Sequence, residues 1–246
     1  MHPSLALSPV SPANPGTHAT TGLLIREALQ PRLQHLLYAQ LCSQVVGSRE
    51  WETLLNAEAR ARPWPLCVWN HPYTGRSNAR SKPAGLYSWA EDLARRSAMQ
   101  LRHEDCQLFK LCAQLDSVHF DSLVSLLYDQ QGSLRPHVDD GLPGLGLSLS
   151  LGASCHFDYG GTRLTLQSGD ALFGAFGHVA HEVVCMGPSS SAPAWWRTLP
   201  EKPSTAERVG TFGKVRCNLQ LRHGRDEDAR NERRRFAKRA GRSLMR

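Results

Sequence analysis

No run of apolar residues in this 246-residue sequence is long enough to cross a membrane, and its first residues lack the basic and apolar regions of a secretory leader. The seven cysteines are an odd number, are scattered along the chain and include no Cys-x-x-Cys pair. This argues against a disulfide-stabilised secreted domain and favours reduced thiols in an intracellular protein. The pattern does not separate nucleus from cytoplasm, and it leaves an organelle open.

Acidic residues are the scarcer charged class. There are 22 Asp and Glu against 29 Lys and Arg, so the formal net charge is +7 and the isoelectric point lies near 9.2. Such an excess favours an anionic partner, for which nucleic acid is the first candidate, although it is also compatible with solubility alone. We expect a monomer that makes no membrane contact.

Composition divides the chain into three parts. Residues 1–21 are rich in Pro, Ser, Thr and Ala and are expected to be disordered. Residues 22–225 are expected to form one domain, and residues 226–246 a basic tail. In the tail, acidic residues precede a series of arginines, which suits the dipole of a terminal helix. This helix would either be solvated, with no binding role, or serve as a phosphate-binding arm or a nuclear localisation signal.

The first half of the domain shows one strand pattern and two helix patterns. Residues 22–29 predict a strand, and Pro31 suits the first turn of the helix that follows, where its missing N–H costs nothing. The apolar residues expected to face inward from this helix are Leu33, Leu36, Leu37, Ala39, Leu41 and Val45. A second helix is expected over residues 89–101. Its expected inward residues are Trp89, Leu93 and Met99.

Residues 60–83, which we call the lid, mix aromatic rings with prolines and basic residues. The prolines and asparagines predict a loop. Rings beside cations suit a cover over a base flipped out of a nucleic acid, because they offer a stacking surface and charge for phosphate. Trp69 and Tyr73 are the candidate stacking residues. The alternative is a loop whose tryptophans only cover the edge of the core.

Residues 120–222 form a series of short apolar runs separated by glycine-rich turns. In residues 145–151 leucine alternates with glycine or serine, which predicts a half-buried strand. Many such strands predict a sandwich or jelly roll with room for a small ligand between its sheets. Residues 187–214, which carry Trp195 and Trp196, interrupt the series as a long surface loop, flexible or functional. The predicted fold is α+β and rich in strands, with helices before a jelly-roll core and a basic helix after it.

His137 and Asp139 are separated by one residue. On a strand the side chains at i and i+2 share a face, so this imidazole and carboxylate project together. A second histidine from a facing strand would complete the two-histidine, one-carboxylate set of non-haem Fe(II) oxygenases, which leaves positions open for co-substrate and O2. His181 is our candidate for this ligand, and His178 is the alternative. Asp140 adjoins Asp139 but does not share the strand face of His137.

The last strand pattern, residues 216–222, carries charged side chains at even spacings. Arg216, Asn218 and Arg222 would share the face toward the barrel interior. Guanidinium groups in a core are costly unless they are paired with anions. The pattern therefore indicates an anionic ligand, unless Arg222 ends the strand and only pairs with Asp226 or Glu227.

Taken in order, these motifs resemble the AlkB family of Fe(II)- and 2-oxoglutarate-dependent dioxygenases. The resemblance covers residues 120–222 and extends neither to the lid nor to the tails. Its elements are a tyrosine and a leucine before the His-x-Asp pair, an alternating Ser-Leu strand, a Gly-Asp turn, a distal histidine and a closing Arg-x-Asn-x-x-x-Arg strand. In this sequence they are Tyr128, Leu134, His137, Asp139, residues 147–152, Gly169, Asp170, His181, Arg216, Asn218 and Arg222.

The resemblance implies a double-stranded β-helix that uses Fe(II), 2-oxoglutarate and O2. Its implied metal ligands are His137, Asp139 and His181. The residues implied to bind 2-oxoglutarate are Tyr128, Leu134, Arg216, Asn218 and Arg222. Arg216, helped by Tyr128, would pair with the C5 carboxylate. Arg222, which is also counted among the catalytic residues, would lie near the C1 carboxylate.

The resemblance also implies a reaction, the hydroxylation of an N-methyl group on a base in methylated DNA or RNA, followed by loss of formaldehyde. Candidate substrate-binding residues are Trp69, Tyr73 and Asp140. Two departures leave the substrate open, because Leu126 replaces an asparagine frequent in the family and Gly141 replaces an acid found in several DNA-repair members. The alternatives are the same oxygenase acting on a protein, lipid or small molecule, and a catalytically silent barrel that binds nucleic acid.

Overall fold

The computed structural model describes residues 4–13, 21–56, 63–104, 108–204 and 207–223, which form two antiparallel sheets with flanking helices. The strands are β1 (Ala6–Val10), β2 (Gly22–Arg26), β3 (Trp64–Trp69), β4 (Ser122–Tyr128), β5 (Leu134–His137), β6 (Gly146–Gly152), β7 (Cys155–Tyr159), β8 (Thr162–Leu166), β9 (Ala171–Gly174), β10 (His181–Met186) and β11 (Arg216–Arg222). The larger sheet has the order β1-β2-β9-β6-β11-β4-β3, and the smaller has the order β5-β10-β7-β8. One apolar cluster joins residues of both sheets.

The helices are α1 (Pro31–Val45), α2 (Arg49–Asn56), α3 (Ala84–Glu104), α4 (Phe109–Asp116) and α5 (Ala194–Arg197). The first two pack against β3, while α3 packs against α4 and α1 contacts α5. No helix among the described residues has both the length and the apolar character needed to span a membrane.

Strand β6 lies in the middle of the larger sheet, and all seven of its residues are buried, where the alternation had predicted a half-buried strand. Its serines meet polar side chains of β11, because Ser150 Oγ accepts a hydrogen bond from Arg216 and Ser148 Oγ accepts one from Asn218, each over 2.8 Å. Its leucines belong to the apolar cluster. Both faces of β6 are therefore buried. The alternation distinguishes a polar face toward the interior from an apolar packing face, and it does not distinguish a buried face from a solvent-exposed one.

The expectation that residues 1–21 are disordered is wrong for residues 4–13. Strand β1 pairs with β2 over five residues, with Ala6 opposite Arg26, and the backbone of Leu5 exchanges two hydrogen bonds with the amide of Gln100. A strand at a sheet edge tolerates Pro9, because one row of its backbone groups needs no partner. Residues 14–20 lie outside the described residues.

Helix α1 begins at Pro31 and buries Leu41 and Val45, as predicted, but its first two turns bury different residues from those expected. Leu33 and Leu36 are 50% and 57% exposed, while Gln34 and Tyr38 are buried. The amide of Gln34 donates to the Leu29 carbonyl over 2.6 Å, and the Tyr38 hydroxyl donates to the Gly210 carbonyl over 2.8 Å. The spacing of the leucines alone could not show that these two polar side chains have hydrogen-bond partners in the protein interior.

Helix α3 is longer at both ends than residues 89–101. Leu93 is buried and Trp89 packs at the margin of the core, as predicted, but Met99 is 61% exposed. Its small neighbours Ser97 and Ala98 are buried instead, because they fit where α3 packs closely on the rest of the domain.

The lid is not wholly a loop, because its described part includes β3 at the edge of the larger sheet. This strand pairs with β4, and its register shifts between Pro65 and Val68. Proline is compatible with an edge strand or a bulge, so the prolines did not exclude regular structure. Residues 57–62 lie outside the described residues, as do residues 224–246, which include the predicted basic helix.

Residues 187–214, the insert, were predicted to be a long surface loop, but they contain the short helix α5 and are fastened to α1 and α2. Trp196 is buried with its ring centroid 4.8 Å from that of Tyr38, and Phe212 meets Trp51 edge-to-face at 4.9 Å. The insert is therefore a packed layer of the domain in its described part, residues 187–204 and 207–214.

Candidate active site

The end of β5 and the start of β10 bring three candidate metal ligands together. His137 and His181 are paired across the two strands, and their ring centroids are 4.3 Å apart. Asp139 follows β5, and its N–H donates to the carbonyl of Phe176 over 2.8 Å. One ligand atom from each of the three residues lies within 4.8 Å of the others. His178 lies in an exposed turn and is not part of this cluster.

Hydrogen bonds hold both imidazoles in one orientation. Nδ1 of His137 lies 2.8 Å from the Arg135 carbonyl oxygen, and Nδ1 of His181 lies 3.0 Å from that of Val179. A carbonyl can only accept, so each Nδ1 carries a proton, and in the neutral ring Nε2 is then the atom with a free lone pair. Nε2 of His181 is buried and has no hydrogen-bond partner in the structure. An orphaned buried acceptor costs about 1–3 kcal/mol, and a bound cation would satisfy it.

The protonation states also suit a metal. Burial is the main influence on His181, opposed by its bond to Val179, and lowers its pKa to about 4. Burial would raise the pKa of Asp139, but Arg222 and the two imidazoles outweigh it, so that the pKa falls below its ordinary value. A neutral imidazole beside an ionised carboxylate is the state in which these side chains bind metals.

Arg222 lies beside the triad, on the interior face that the spacing of β11 predicted. Its Nε donates to Oδ2 of Asp139 over 2.7 Å, and one terminal nitrogen donates to the carbonyls of Leu147 and Leu221. Its guanidinium carbon lies 4.2 Å from the centroid of the Phe176 ring. Arg222 thus supports the carboxylate of Asp139, while the predicted alternative partners in the tail lie outside the described residues.

Arg216 occupies the other end of β11, fully buried and without an acidic partner among the described residues. Its guanidinium donates to Ser150 Oγ over 2.8 Å and contacts the Ala153 carbonyl at 3.4 Å, while its Nε has no partner in the part of the chain that the structure describes. Tyr128 lies opposite Arg216 in register, and its buried hydroxyl likewise finds no hydrogen-bond partner within the described ranges. A buried guanidinium of this kind needs an anion.

The other predicted co-substrate residues take different positions. The amide nitrogen of Asn218 donates to Ser148 Oγ and to the Leu149 carbonyl, so it is held in place between β6 and β11. Leu134 lies at the start of β5, opposite Val183, and packs at the margin of the core.

The candidate substrate residues are not gathered in one group. Trp69 is the last residue of β3 and packs against the core, which agrees with the alternative that the tryptophans cover its edge. Tyr73 is 45% exposed in the following turn, with its ring centroid 5.9 Å from that of His71. Asp140 is exposed beside the triad.

Two residues near the triad were missed in the sequence. Burial lowers the pKa of His71, and the negative charge of Asp139 acts on it in the opposite direction, so this histidine lies within electrostatic reach of the triad. Phe176 packs edge-on against His181 at 4.8 Å. A histidine flanked by asparagine and proline in the lid was a visible signal for His71. Nothing in the local pattern distinguished Phe176 from other core aromatics.

The chain was compared with known sequences and structures to identify its fold. No protein-family model matches the sequence. Among curated proteins, the Acanthamoeba polyphaga mimivirus protein named probable lanosterol 14-alpha demethylase is 25% identical over 206 residues, which are 82% of this chain. The chain spans only 26% of that protein's length.

Among solved structures, that of OsALKBH1 superposes with a TM-score of 0.58 at 19% identity, covering 88% of this chain and 99% of the other. A 2OG-Fe(II) oxygenase-family oxidoreductase from Burkholderia pseudomallei gives a TM-score of 0.45 at 9% identity, covering 84% and 85% of the two chains. The likeness to OsALKBH1 shows that this chain has the same fold, and the predicted jelly-roll core is confirmed.

Proposed function

We propose that the chain is an Fe(II)- and 2-oxoglutarate-dependent oxygenase that removes N-alkyl groups from bases of DNA or RNA. The observation that carries the proposal is the convergence of His137, Asp139 and His181, with the buried Nε2 of His181 left without a partner. Two nitrogens and one oxygen are the donor set that non-haem Fe(II) oxygenases use. When bound, ferrous iron would supply the activation of O2.

The chain's own residues would place and orient the reactants. Arg216 and Tyr128 would bind one carboxylate of 2-oxoglutarate, which supplies the negative charge and the hydrogen-bond acceptor that both now lack. Arg222 would fix Asp139, so that one carboxylate oxygen is occupied by the guanidinium and the other is free to face the imidazoles. Asn218 would keep the serine face of β6 in register with these groups.

The overall reaction balances without another reductant. One oxygen atom of O2 enters a C–H bond of the N-methyl group and the other enters succinate, as 2-oxoglutarate loses CO2. The resulting N-hydroxymethyl group then breaks its C–N bond, which releases formaldehyde and returns a proton to the base nitrogen. Such a methyl group must leave the base stack to enter the barrel.

Nucleic acid is favoured as the substrate by charge and by position. The net charge of +7 suits a polyanion, and the turn with His71 and Tyr73 presents an exposed ring beside a histidine on which the charge of Asp139 acts. The name of OsALKBH1 points to an AlkB homologue. One observation favours the same oxygenase acting on a small molecule or lipid: only one of the two predicted stacking rings, Tyr73, is well exposed.

The test is turnover by the 246-residue protein with Fe(II), ascorbate and 2-oxoglutarate, supplied with N-methylated or unmodified oligonucleotides. We expect methylated strands, but not unmodified ones, to raise succinate formation above the rate without oligonucleotide, with formaldehyde released in an amount equal to the additional succinate. Succinate formation that no oligonucleotide stimulates would reject the nucleic-acid substrate and leave the oxygenase. The absence of both turnover and Fe(II)-dependent binding of 2-oxoglutarate would reject the oxygenase.

A further inference from the structure

The insert encloses a surface cavity of about 430 Å³ that none of the triad residues lines. Two cations, three hydroxyl groups and one acid contribute to its wall, and one of the cations is paired with Asp129 behind the wall. These residues are Lys214, Arg197, Ser189, Ser190, Thr211 and Glu201. A concave site with a few converging polar groups has the form of a small-ligand site.

Lys214 provides a buried positive charge in this wall. Its side chain is 4% exposed, and its ammonium lies 3.7 Å from Oδ2 of Asp129 and 6.0 Å from the centroid of the Trp64 ring. The distance to Asp129 is longer than a charge-assisted hydrogen bond of about 2.7–2.9 Å. A lysine ammonium has three N–H donors, and an anion in the cavity would engage those that Asp129 does not hold.

The backbone before Lys214 is held in an uncommon conformation. Phe212 and Gly213 both have positive φ, of 55° and 69°, and a bulky aromatic residue rarely adopts such a value. The Phe212 ring is fixed against Trp51, and the N–H of Lys214 donates to the Thr211 carbonyl over 2.9 Å. A strained backbone conformation persists only where the surrounding contacts enforce it, and such residues are frequent at ligand-binding sites. This turn presents Lys214 to the cavity.

The remaining wall is rigid and apolar. Trp196 is 3% exposed, packs on Tyr38 and lines the cavity together with Leu199. The Tyr38 hydroxyl holds the Gly210 carbonyl, so the far side of the insert is also tied to α1. The cavity is preformed and is larger than a bare phosphate ion requires.

We propose that this cavity binds a phosphomonoester, with the phosphate at Lys214 and Arg197 and the organic part against Trp196 and Leu199. Two cations together with the hydroxyls of Ser190 and Thr211 provide enough donors for several terminal oxygens, which suits phosphate better than a single carboxylate. The phosphomonoester is either a free nucleotide-sized molecule or the phosphorylated end of a nucleic acid strand. The site makes no use of the iron chemistry proposed above.

Titration calorimetry of the 246-residue protein in phosphate-free buffer tests the site, with adenosine monophosphate as the probe and adenosine as the uncharged comparison. Saturating 2-oxoglutarate is added to occupy the surroundings of Arg216. We expect the monophosphate to bind and adenosine not to bind. Arg197→Gln and Lys214→Met should each weaken binding about tenfold or more, the loss typical of a charge-assisted hydrogen bond.

The matched control is Lys202→Gln, which removes a positive charge from an exposed position of the same insert that does not line the cavity. Arg197 is exposed on α5, so its variant carries the test even if Lys214→Met lowers the melting temperature. No binding by the unaltered protein, or equal affinity for Arg197→Gln and Lys202→Gln, would overturn the proposal. Displacement of the monophosphate by a 5′-phosphorylated but not a 5′-hydroxyl oligonucleotide would support a strand end, and displacement by neither would support a free ligand.

Discussion

Arg222 donates through Nε to Oδ2 of Asp139 over 2.7 Å, across 83 residues of sequence and between two side chains that are nearly buried. The bond links the closing strand of the larger sheet to the turn that follows β5. It also leaves Oδ1 of Asp139 facing His137, with 3.7 Å between Oδ1 and Nε2. One guanidinium therefore sets the orientation of the only carboxylate in the triad.

Replacing Arg222 with Lys is expected to weaken Fe(II) binding about 10–100-fold, the usual loss when a group that holds a metal ligand is removed. Lysine keeps the charge but cannot donate through a planar fork to Asp139 and to the Leu147 carbonyl together. Mn(II) affinity measured by electron paramagnetic resonance reports the effect without turnover. The control is Arg26→Gln, which breaks the ion pair between Arg26 and the buried Asp170. Equal metal affinity for Arg222→Lys and the unaltered protein would show that Asp139 needs no such support.

His181→Ala and His178→Ala form a matched pair of substitutions three residues apart. We expect the first to abolish measurable Fe(II) binding and succinate formation, because it removes the buried Nε2. The second should leave both unchanged, because His178 is exposed and outside the cluster. Metal titration of both variants, with melting temperatures to confirm folding, checks this. Retained metal binding by His181→Ala would contradict the ligand assignment.

Arg216→Met is expected to weaken the binding of 2-oxoglutarate without lowering the stability of the protein. The co-substrate requirement should rise at least about tenfold, because the anion loses its charge-assisted partner. The melting temperature without 2-oxoglutarate should stay the same or rise, because an apolar side chain replaces a buried charge without a counter-ion.

Titration of 2-oxoglutarate against succinate formation and a thermal melt measure the two effects of Arg216→Met. Tyr128→Phe should show a smaller loss of affinity in the same direction. A strong drop in melting temperature for Arg216→Met, with an unchanged requirement for 2-oxoglutarate, would make Arg216 a structural residue.

The strand-rich half of the molecule was predictable from sequence because side chains on a strand return to the same face every two residues. Alternation places Arg216, Asn218 and Arg222 on one face of β11, and Arg222 on that face reaches Asp139. Asp139 itself lies just beyond the end of β5, so its position beside His137 depends on the turn as well as on the strand. The helices were less predictable. In α1 the leucine pattern pointed to one face, while Gln34 and Tyr38 found buried carbonyl partners on another. β1 was missed because its pairing with β2 outweighed a composition typical of disorder.

Gly146→Ala should damage the site although Gly146 is no ligand. A Cβ at this position would lie 2.8 Å from Cδ of Arg222 and 2.9 Å from Cδ2 of Phe176, so one of them must move away from Asp139 or His181. We expect about 1–3 kcal/mol of lost stability, as for other overpacked cores, together with weaker metal binding.

Gly85→Ala is the control for Gly146→Ala. It lies in α3, a Cβ there meets nothing within 4 Å, and the change should add about 1 kcal/mol of stability. Urea unfolding of both variants measures the difference in stability. Equal stabilities would show that a Cβ at position 146 can be accommodated beside Arg222 without cost.

Tyr73→Ala tests whether the turn after β3 engages the substrate. Its ring is 45% exposed with its centroid 5.9 Å from that of His71, and stacking on one base contributes about 1–3 kcal/mol to binding. We therefore expect the KM for a methylated oligonucleotide to rise about fivefold or more, while 2-oxoglutarate turnover without oligonucleotide stays the same. Phe109→Ala is the control, because this ring on α4 is 70% exposed and lies outside the lid. If Tyr73→Ala and Phe109→Ala have the same KM as the unaltered protein, the turn does not bind the base, and a substrate other than nucleic acid gains support.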